Sequence, residues 1–264
     1  VQQHIVDGLA LNWFDLHFQP IVDLQTRAPV GFEGLLRLNH PTEGRIFPDE
    51  VISVAEDNGL ILDIGDKVFD LGFDQVERLA ADPNLHDSYL TINLSAAQFL
   101  PGLPAKLASR LMQRGIRPER LVLEITETVL MQDNPELDRI FADIRTLGCK
   151  FALDDFGTGY SSLSYLNRFP VDIIKIDRSF TQSLDDDENR EVAERTRSLI
   201  QGFRILASQL GVKLIAEGIE TEAQYHCLRD MGVNAGQGYY FGKPEESDYY
   251  LTSNDAMNFM AGSS

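Results

Sequence analysis

The chain has 264 residues, of which 43% are hydrophobic, a size and composition that suit one α/β barrel or two small domains. Its formal net charge of −18 at pH 7 excludes a general nucleic-acid-binding protein, because phosphate contacts need a basic surface. No segment approaches the roughly 18 to 20 continuous apolar residues of a membrane span, and no signal sequence opens the chain. We therefore expect no contact with a nucleic-acid polymer or a membrane.

The two cysteines, Cys149 and Cys227, lack a metal-binding or redox spacing and suit a reducing cytosol. A cytoplasmic location follows as an expectation. The chain opens on Val1 rather than on an initiator methionine, which indicates a piece of a longer protein whose full length could be membrane-anchored. No linker or low-complexity tract interrupts residues 1–264, so we expect one domain.

Short apolar runs alternate with helical patterns along the chain. Strands are predicted at residues 16–24, 29–38, 89–94, 121–125, 150–153, 173–176, 214–216 and 238–241. Helices are predicted at residues 48–57, 64–80, 103–114, 135–147, 188–210 and 222–231. Pro48 suits a first helical turn, and Gly115 and Gly148 fall where helices should end.

This alternation is typical of parallel strands joined by crossover helices. About eight strands in a chain of this length predict the α/β class and a closed TIM-type (β/α)8 barrel rather than an open sheet. No glycine-rich fingerprint follows the first strand, which disfavours a dinucleotide-binding fold.

Polar side chains recur at the carboxyl ends of the predicted strands, where barrel enzymes carry their chemistry. In chain order they are Glu33, Asn93, Glu124, Glu127, Asp154, Asp155, Lys175, Glu217, Glu220 and Gln237. A lone acid at a strand end is usually a helix cap or an ion-pair partner. A set repeated over successive strand–helix units instead predicts one shared site.

The chemistry of this set favours hard metal ions. Asp154 and Asp155 are adjacent carboxylates that end an apolar run and repel each other unless a cation lies between them. All the ligands offer oxygen, which selects Mg²⁺ or Mn²⁺ over zinc or copper. Two such ions about 3.5 to 4 Å apart are the usual arrangement for attack on a phosphodiester. Lys175 would orient the attacking water, stabilise transition-state charge, or simply neutralise surplus acid.

Seven motifs follow one another along the chain: EGLLR at 33–37, NLS at 93–95, EITE at 124–127, DDFGTG at 154–159, KID at 175–177, AEGIE at 216–220 and QGY at 237–239. In this order they resemble the EAL-domain phosphodiesterases, which hydrolyse cyclic di-GMP. The resemblance runs from about residue 16 to residue 244, nearly the whole chain. It implies a single EAL-type domain whose first barrel strand is antiparallel.

The resemblance assigns roles to individual residues. The implied metal ligands are Glu33, Asn93, Glu124 and Asp154 for one ion, and Asp155 and Glu217 for a second, with Asp154 open to both. The implied catalytic residues are Glu33, Lys175 and Glu217, with Lys175 acting on the attacking water. The implied substrate contacts are Gln19, Leu36, Arg37 and Gln237, with Arg37 gripping a phosphate. The implied supporting residues are Glu127, Gly157, Thr158, Gly159 and Glu220, of which Glu127 would hold the loop at residues 155–162.

The activity implied by the resemblance is hydrolysis of one phosphodiester bond of cyclic di-GMP to give linear pGpG. It also implies a homodimer formed through helices beside the loop at residues 155–162. In the full-length protein, an N-terminal sensory domain, a GGDEF domain or both would precede the barrel.

The signature motif of the family differs in this chain at one position. The signature Glu-Ala-Leu reads Glu33-Gly34-Leu35, which keeps the metal ligand and costs about 0.5 to 1 kcal/mol relative to alanine. The main alternative is a degenerate EAL domain that binds cyclic di-GMP without cutting it. Such receptors lack metal-binding acids or the intact loop, and this chain has both. A purely structural domain would leave the acids without a purpose.

Overall fold

The computed structural model describes residues 1–131, 133–158, 164–185 and 190–252. The strands within these residues are β1 (Phe14–Asp23), β2 (Pro29–His40), β3 (Gly44–Ile46), β4 (Tyr89–Asn93), β5 (Leu121–Thr126), β6 (Lys150–Phe156), β7 (Ile173–Ile176), β8 (Lys213–Ala216) and β9 (Ala235–Gln237). The helices are α1 (Gln2–Leu11), α2 (Pro48–Asp57), α3 (Ile61–Ala81), α4 (Leu103–Arg114), α5 (Glu127–Leu130), α6 (Pro135–Leu147), α7 (Ser164–Arg168), α8 (Arg178–Gln182), α9 (Arg190–Leu210), α10 (Glu222–Asp230) and α11 (Tyr249–Thr252).

The sheet closes into a barrel because β1, the first strand of the order, pairs with β9 beside it and also with β2 near the other end. That order is β1-β9-β8-β7-β6-β5-β4-β2-β3, with a further pairing of β1 to β2. Strand β1 is antiparallel to both of its neighbours, whereas the pairs from β2–β4 round to β8–β9 are parallel. Strand β3 lies outside the ring as a short extension of β2. The predicted eight-strand barrel with an antiparallel first strand is therefore confirmed.

The predicted elements are found with small shifts. The six predicted helices correspond to α2, α3, α4, α6, α9 and α10 with ends within three residues, although positions 188–189 lie outside the described residues. Gly115 and Gly148 end α4 and α6 in the left-handed conformation, at φ 62° and 100°. Among the described residues, no helix combines the length and apolarity that crossing a bilayer requires.

The last predicted strand, at residues 238–241, is wrong. The strand is Ala235–Gln237, and the aromatic run that follows it forms turns. Tyr239, Tyr240 and Phe241 have high strand propensity, but Gly238 at φ 158° packs directly on the Ile219 backbone and diverts the chain. The prediction also missed α1, α5, α7, α8, α11 and β3, most of which are too short to show a periodic pattern.

The barrel interior holds a small apolar cluster that underlies the polar strand ends. Its buried members are Ile21, Val122, Ala152, Ile173, Ile215 and Ala235. All but Ile21 lie two residues before one of the predicted site residues, so each pair shares the inward face of its strand. On the antiparallel β1 the offset is reversed, with Gln19 two residues before Ile21. The barrel interior is therefore apolar in its lower part, towards the amino ends of the parallel strands, and polar in its upper part, towards their carboxyl ends.

Gly34 and Gly238 form a matched pair for testing whether a glycine position has room for a β-carbon. A β-carbon on Gly34 would lie 3.4 Å from the Thr91 carbonyl oxygen and 3.5 Å from Leu16 Cδ1, which are ordinary contacts. One on Gly238 would lie 2.1 Å from the Ile219 carbonyl oxygen. We expect Gly34→Ala to raise the free energy of unfolding by up to about 1 kcal/mol and Gly238→Ala to lower it by more than about 2 kcal/mol.

Urea denaturation of both variants measures these changes. A loss of stability in Gly34→Ala comparable with that in Gly238→Ala would contradict the prediction.

Candidate active site

Four buried side chains from alternate barrel strands form a polar layer directly above the apolar interior. They are Glu33 on β2, Glu124 on β5, Lys175 on β7 and Gln237 on β9. The Lys175 Nζ atom lies 3.3 Å from Glu33 Oε2 and contacts Glu124 Oε1. Gln237 donates to Glu33 Oε2 at 2.5 Å. These contacts confine all four side chains to one conformation.

A second layer, contributed by the intervening strands, lies nearer the barrel mouth. Asp154 on β6 and Glu217, the residue that follows β8, have side chains 18% and 19% exposed, and their oxygens lie 3.8 and 2.5 Å from Lys175 Nζ. Asn93 on β4 donates to Glu33 Oε1 at 2.9 Å. The predicted ligands Glu33, Asn93, Glu124, Asp154 and Glu217 thus converge around one ammonium group.

Lys175 is the charge that holds these acids together. Burial would lower the pKa of its ammonium, but the carboxylates of Asp154, Glu124, Glu217 and Glu33 outweigh burial and raise the pKa well above its usual value. The side chain is only 1% exposed and remains charged.

The fold shifts the pKa values of these acids in opposite directions. Burial favours the protonated form of Glu33, yet the Lys175 charge and hydrogen bonds from Gln237 and Asn93 hold its pKa below the usual value. Burial, followed by the Glu33 charge, raises the pKa of Glu124 well above the usual range. Burial also raises the pKa of Glu217, to about 7.

A backbone irregularity brings Asp155 to the same side as Asp154. In a regular strand adjacent side chains point to opposite faces. Here the pairing of β6 with β7 shifts register between Leu153 and Phe156, and Asp155 adopts the left-handed conformation at φ 55°. Such a conformation costs a non-glycine residue about 1 kcal/mol or more, and it places both carboxylates at one site. Burial and the charges of Asp154 and Asp177 raise the pKa of Asp155.

The geometry offers two groups of carboxylates that fit divalent metal ions. Ligand atoms of Glu33, Glu124 and Glu217 lie within 4.8 Å of one another, as do those of Asp154, Asp155 and Glu217. Glu124 Oε2 and Asp154 Oδ1 are buried without a hydrogen-bond partner among the described residues, although charged oxygens in such places need one. The donors are all oxygens, as Mg²⁺ and Mn²⁺ prefer. Glu217 is common to both groups, whereas the prediction put Asp154 in the shared position.

A pocket of about 530 Å³ opens beside these acids. Of the predicted residues, Leu36, Arg37, Asn93 and Glu124 line it. Sequence reasoning missed the wall formed by α2, which contributes Pro48, Asp49, Ile52 and Glu56. These residues lie on a helix rather than at a strand end, so no signal in the strand pattern marks them.

The other predicted substrate contacts, Gln19 and Gln237, are not among the residues that line the pocket and lie on the neighbouring strands β1 and β9. Gln19 is buried, accepts a hydrogen bond from Gln237 at 2.9 Å and donates to the Gly242 carbonyl at 3.0 Å. Arg37 is half-buried and donates to the Leu36 carbonyl oxygen at 2.8 Å. Both are therefore positioned by the backbone around them.

The supporting residues are placed unevenly. Glu127, the first residue of α5, accepts the Gly157 amide hydrogen at 3.3 Å, and the Thr158 hydroxyl donates to the Asp155 carbonyl at 2.9 Å. Glu220 is exposed and contributes its backbone amide to Gln224 at 2.8 Å. Gly159 lies outside the described residues.

Comparison with known proteins agrees with this fold. A family model for the EAL domain matches residues 2–244. The chain is 37% identical over 239 residues to the bifunctional diguanylate cyclase/cyclic di-GMP phosphodiesterase MucR of Pseudomonas aeruginosa, covering 90% of this chain and 34% of that protein. It is 35% identical over 260 residues to an uncharacterized protein of Synechocystis, covering 97% and 36%. The chain spans about a third of the length of these curated relatives.

Solved structures match equally well. The phosphodiesterase of MucR in complex with c-di-GMP superimposes with a TM-score of 0.85 at 35% identity, covering 95% of this chain and 100% of that one. The FimX EAL domain from Pseudomonas aeruginosa bound to c-di-GMP gives a TM-score of 0.81 at 27% identity, covering 94% and 98%.

Fold and site together define a TIM-type barrel domain with a carboxylate-rich centre at the carboxyl ends of its strands. The chain belongs to the EAL domain family, as its ordered motifs predicted.

The raised pKa of Glu217 makes the metal-free protein sensitive to pH. Its carboxyl has a pKa of about 7 in the folded chain against a usual value of 4.5, so folding favours the protonated form. The contribution of Glu217 to the free energy of unfolding is complete below about pH 4.5 and is lost as the pH rises through 7. The loss is about 3 kcal/mol at most. Glu124 acts in the same direction, whereas Glu33 acts only at lower pH.

In EDTA, the free energy of unfolding should therefore fall between pH 5 and pH 8, and Glu217→Gln should flatten the fall. The exposed Glu246→Gln serves as the control and should behave like the wild type. An equal slope in wild type and Glu217→Gln would rule out this origin.

Proposed function

We propose that this domain hydrolyses cyclic di-GMP to linear pGpG in a reaction that requires Mg²⁺ or Mn²⁺. The observation that carries the proposal is the convergence of a full set of oxygen ligands on Lys175 beside a pocket of about 530 Å³. One relative adds support, since MucR is a bifunctional diguanylate cyclase/cyclic di-GMP phosphodiesterase and the structure of its phosphodiesterase is a c-di-GMP complex.

Two metal ions per site fit the two carboxylate groups. The residues that would hold them are Glu33, Asn93, Glu124, Asp154, Asp155 and Glu217. The ions, when bound, lower the pKa of a coordinated water and offset charge on the phosphate oxygens.

The protein groups then have distinct tasks. Lys175 keeps the carboxylates in place and presents its ammonium to the attacking water. Arg37 binds a substrate phosphate at the pocket wall, and Gln237 with Gln19 fixes the far side of Glu33. The loop that begins at Asp155 is tied to α5 through Glu127, so the metal ligand and the loop move together.

The pocket would receive one guanine base. Ile52, Ile61 and Val68 give it an apolar lining, and the carboxylates of Asp49 and Glu56 can accept N–H groups of the base. Hydrogen-bond acceptors in a mostly apolar pocket select a flat ligand that carries donors on its edge.

The alternative is a receptor that binds cyclic di-GMP without cutting it. The completeness of the acid set favours catalysis, because a receptor has no need for four carboxylates around one lysine. A homodimer formed beside the loop at residues 155–162, and a sensory or GGDEF domain in a longer chain, remain part of the proposal. The relative MucR, a bifunctional cyclase and phosphodiesterase, supports the second point.

Turnover of cyclic di-GMP with Mg²⁺ or Mn²⁺, followed by chromatography of the product, tests the proposal. Wild type should release pGpG, and Glu33→Gln should reduce kcat by about 10³-fold or more, since it removes a metal-binding charge. Gly34→Ala should retain full activity, because the added methyl group fits. Binding without any linear product would identify a receptor instead.

Substrate binding should also depend on metal. Cyclic di-GMP carries two negative charges, and the acids of the metal-free site repel it. Calorimetry in EDTA should therefore show affinity at least about tenfold weaker than with Ca²⁺ or Mg²⁺ present, with the residual binding due to Arg37 and the base contacts. Equal affinity in both conditions would contradict this account.

A further inference from the structure

The hairpin of β2 and β3 carries a second arginine beside Arg37. Arg45 lies in the middle of β3 and pairs in antiparallel register with Asn39. Alternate residues of a strand share a face, so Arg37, Asn39 and Arg45 lie on one side of the hairpin. Leu38 and Ile46 lie on the other side, against the hydrophobic core. The fold therefore brings two guanidinium groups to the same face.

The charges of these two arginines act on each other. Burial, followed by the Arg45 charge, lowers the pKa of Arg37, while Tyr239 and Glu33 oppose the shift. In the described part of the chain neither arginine forms an ion pair with a carboxylate, and Arg37 donates only to a backbone carbonyl. Two unpaired cations held together in a chain of net charge −18 favour an anion between them.

The pair lies at the outer end of the proposed substrate site. Arg37 follows Glu33 by four residues on β2, about 13 Å along the strand. Arg37 also lines the pocket, and the chain that leaves Arg45 enters α2, whose Pro48 and Asp49 line it too. The metal-binding carboxylates therefore lie at the inner end of the site and the two arginines at its mouth.

We infer that Arg45 acts with Arg37 to bind the phosphate of the cyclic dinucleotide that is not cut. The inference rests on the proposed function. A cyclic dinucleotide has two phosphodiester anions, and only one of them can lie at the metal ligands. The other needs a cationic partner, and a guanidinium offers paired donors that match two phosphate oxygens. Arg45 thus distinguishes a ligand with two phosphates from a simple phosphodiester.

Because Arg45 is exposed, its effect should appear in capture of the substrate rather than in the chemical step. We expect Arg45→Gln to raise KM for cyclic di-GMP about five- to tenfold with kcat unchanged. The rise of KM with added salt should become shallower, since one cation no longer contributes. Arg45→Lys keeps the charge but loses the paired donors of the guanidinium, so its KM should lie between those of wild type and Arg45→Gln.

Arg139→Gln on α6 is the matched control, because it removes an exposed arginine from a helix that does not line the pocket and should leave KM and its salt dependence unchanged. Far-UV circular dichroism checks that every variant is folded. If wild type binds but does not cut, the dissociation constant from calorimetry replaces KM.

The outcomes separate the two proposals. Equal KM for wild type and Arg45→Gln, or a loss confined to kcat, would overturn the role of Arg45 while the proposed function stands. A wild-type domain that neither binds nor cuts cyclic di-GMP would overturn both.

Discussion

A single buried ammonium group holds the centre of this barrel together. Lys175 Nζ contacts carboxylates on β2, β5 and β6 and that of Glu217 just after β8, and its side chain is almost wholly shielded from water. Burying charges costs several kcal/mol each unless they are paired, and here one positive charge faces four acids. The surplus negative charge is only partly removed by protonation, which is why the pKa values of Glu124 and Glu217 rise. Bound divalent cations would neutralise the negative charge that remains.

The same constraint explains the strained backbone at the end of β6. A regular strand would send Asp155 away from Asp154 and leave the second carboxylate group incomplete. The register shift before Phe156 and the positive φ of Asp155 place both acids on one side. The following residues then leave the sheet, and Glu127 anchors them through the Gly157 amide. Local strain is thus coupled to the ligand set and to the loop.

Sequence reasoning worked best where the fold repeats a rule. The carboxyl ends of parallel barrel strands meet at one end of the barrel, so the apolar runs around Glu124 and Lys175 were enough to predict a shared site without any knowledge of contacts. It failed where position depends on packing between distant elements. The pocket wall on α2 exists because that helix packs against β2 and α3, and β9 ends early because Gly238 lies against Ile219. Packing of α2 against β2 and α3, and of Gly238 against Ile219, leaves no periodic signal in the chain.

The division between the barrel's lower and upper halves has a physical basis. The apolar cluster around Val122 and Ile215 excludes water from below, which lowers the local dielectric and strengthens every charge interaction in the layer above. That environment makes unpaired carboxylates destabilising in the metal-free chain, and it also makes a bound cation strongly favourable. Stability is therefore given up at one end of a well-packed barrel, where the same acids would hold the metal ions of the proposed function.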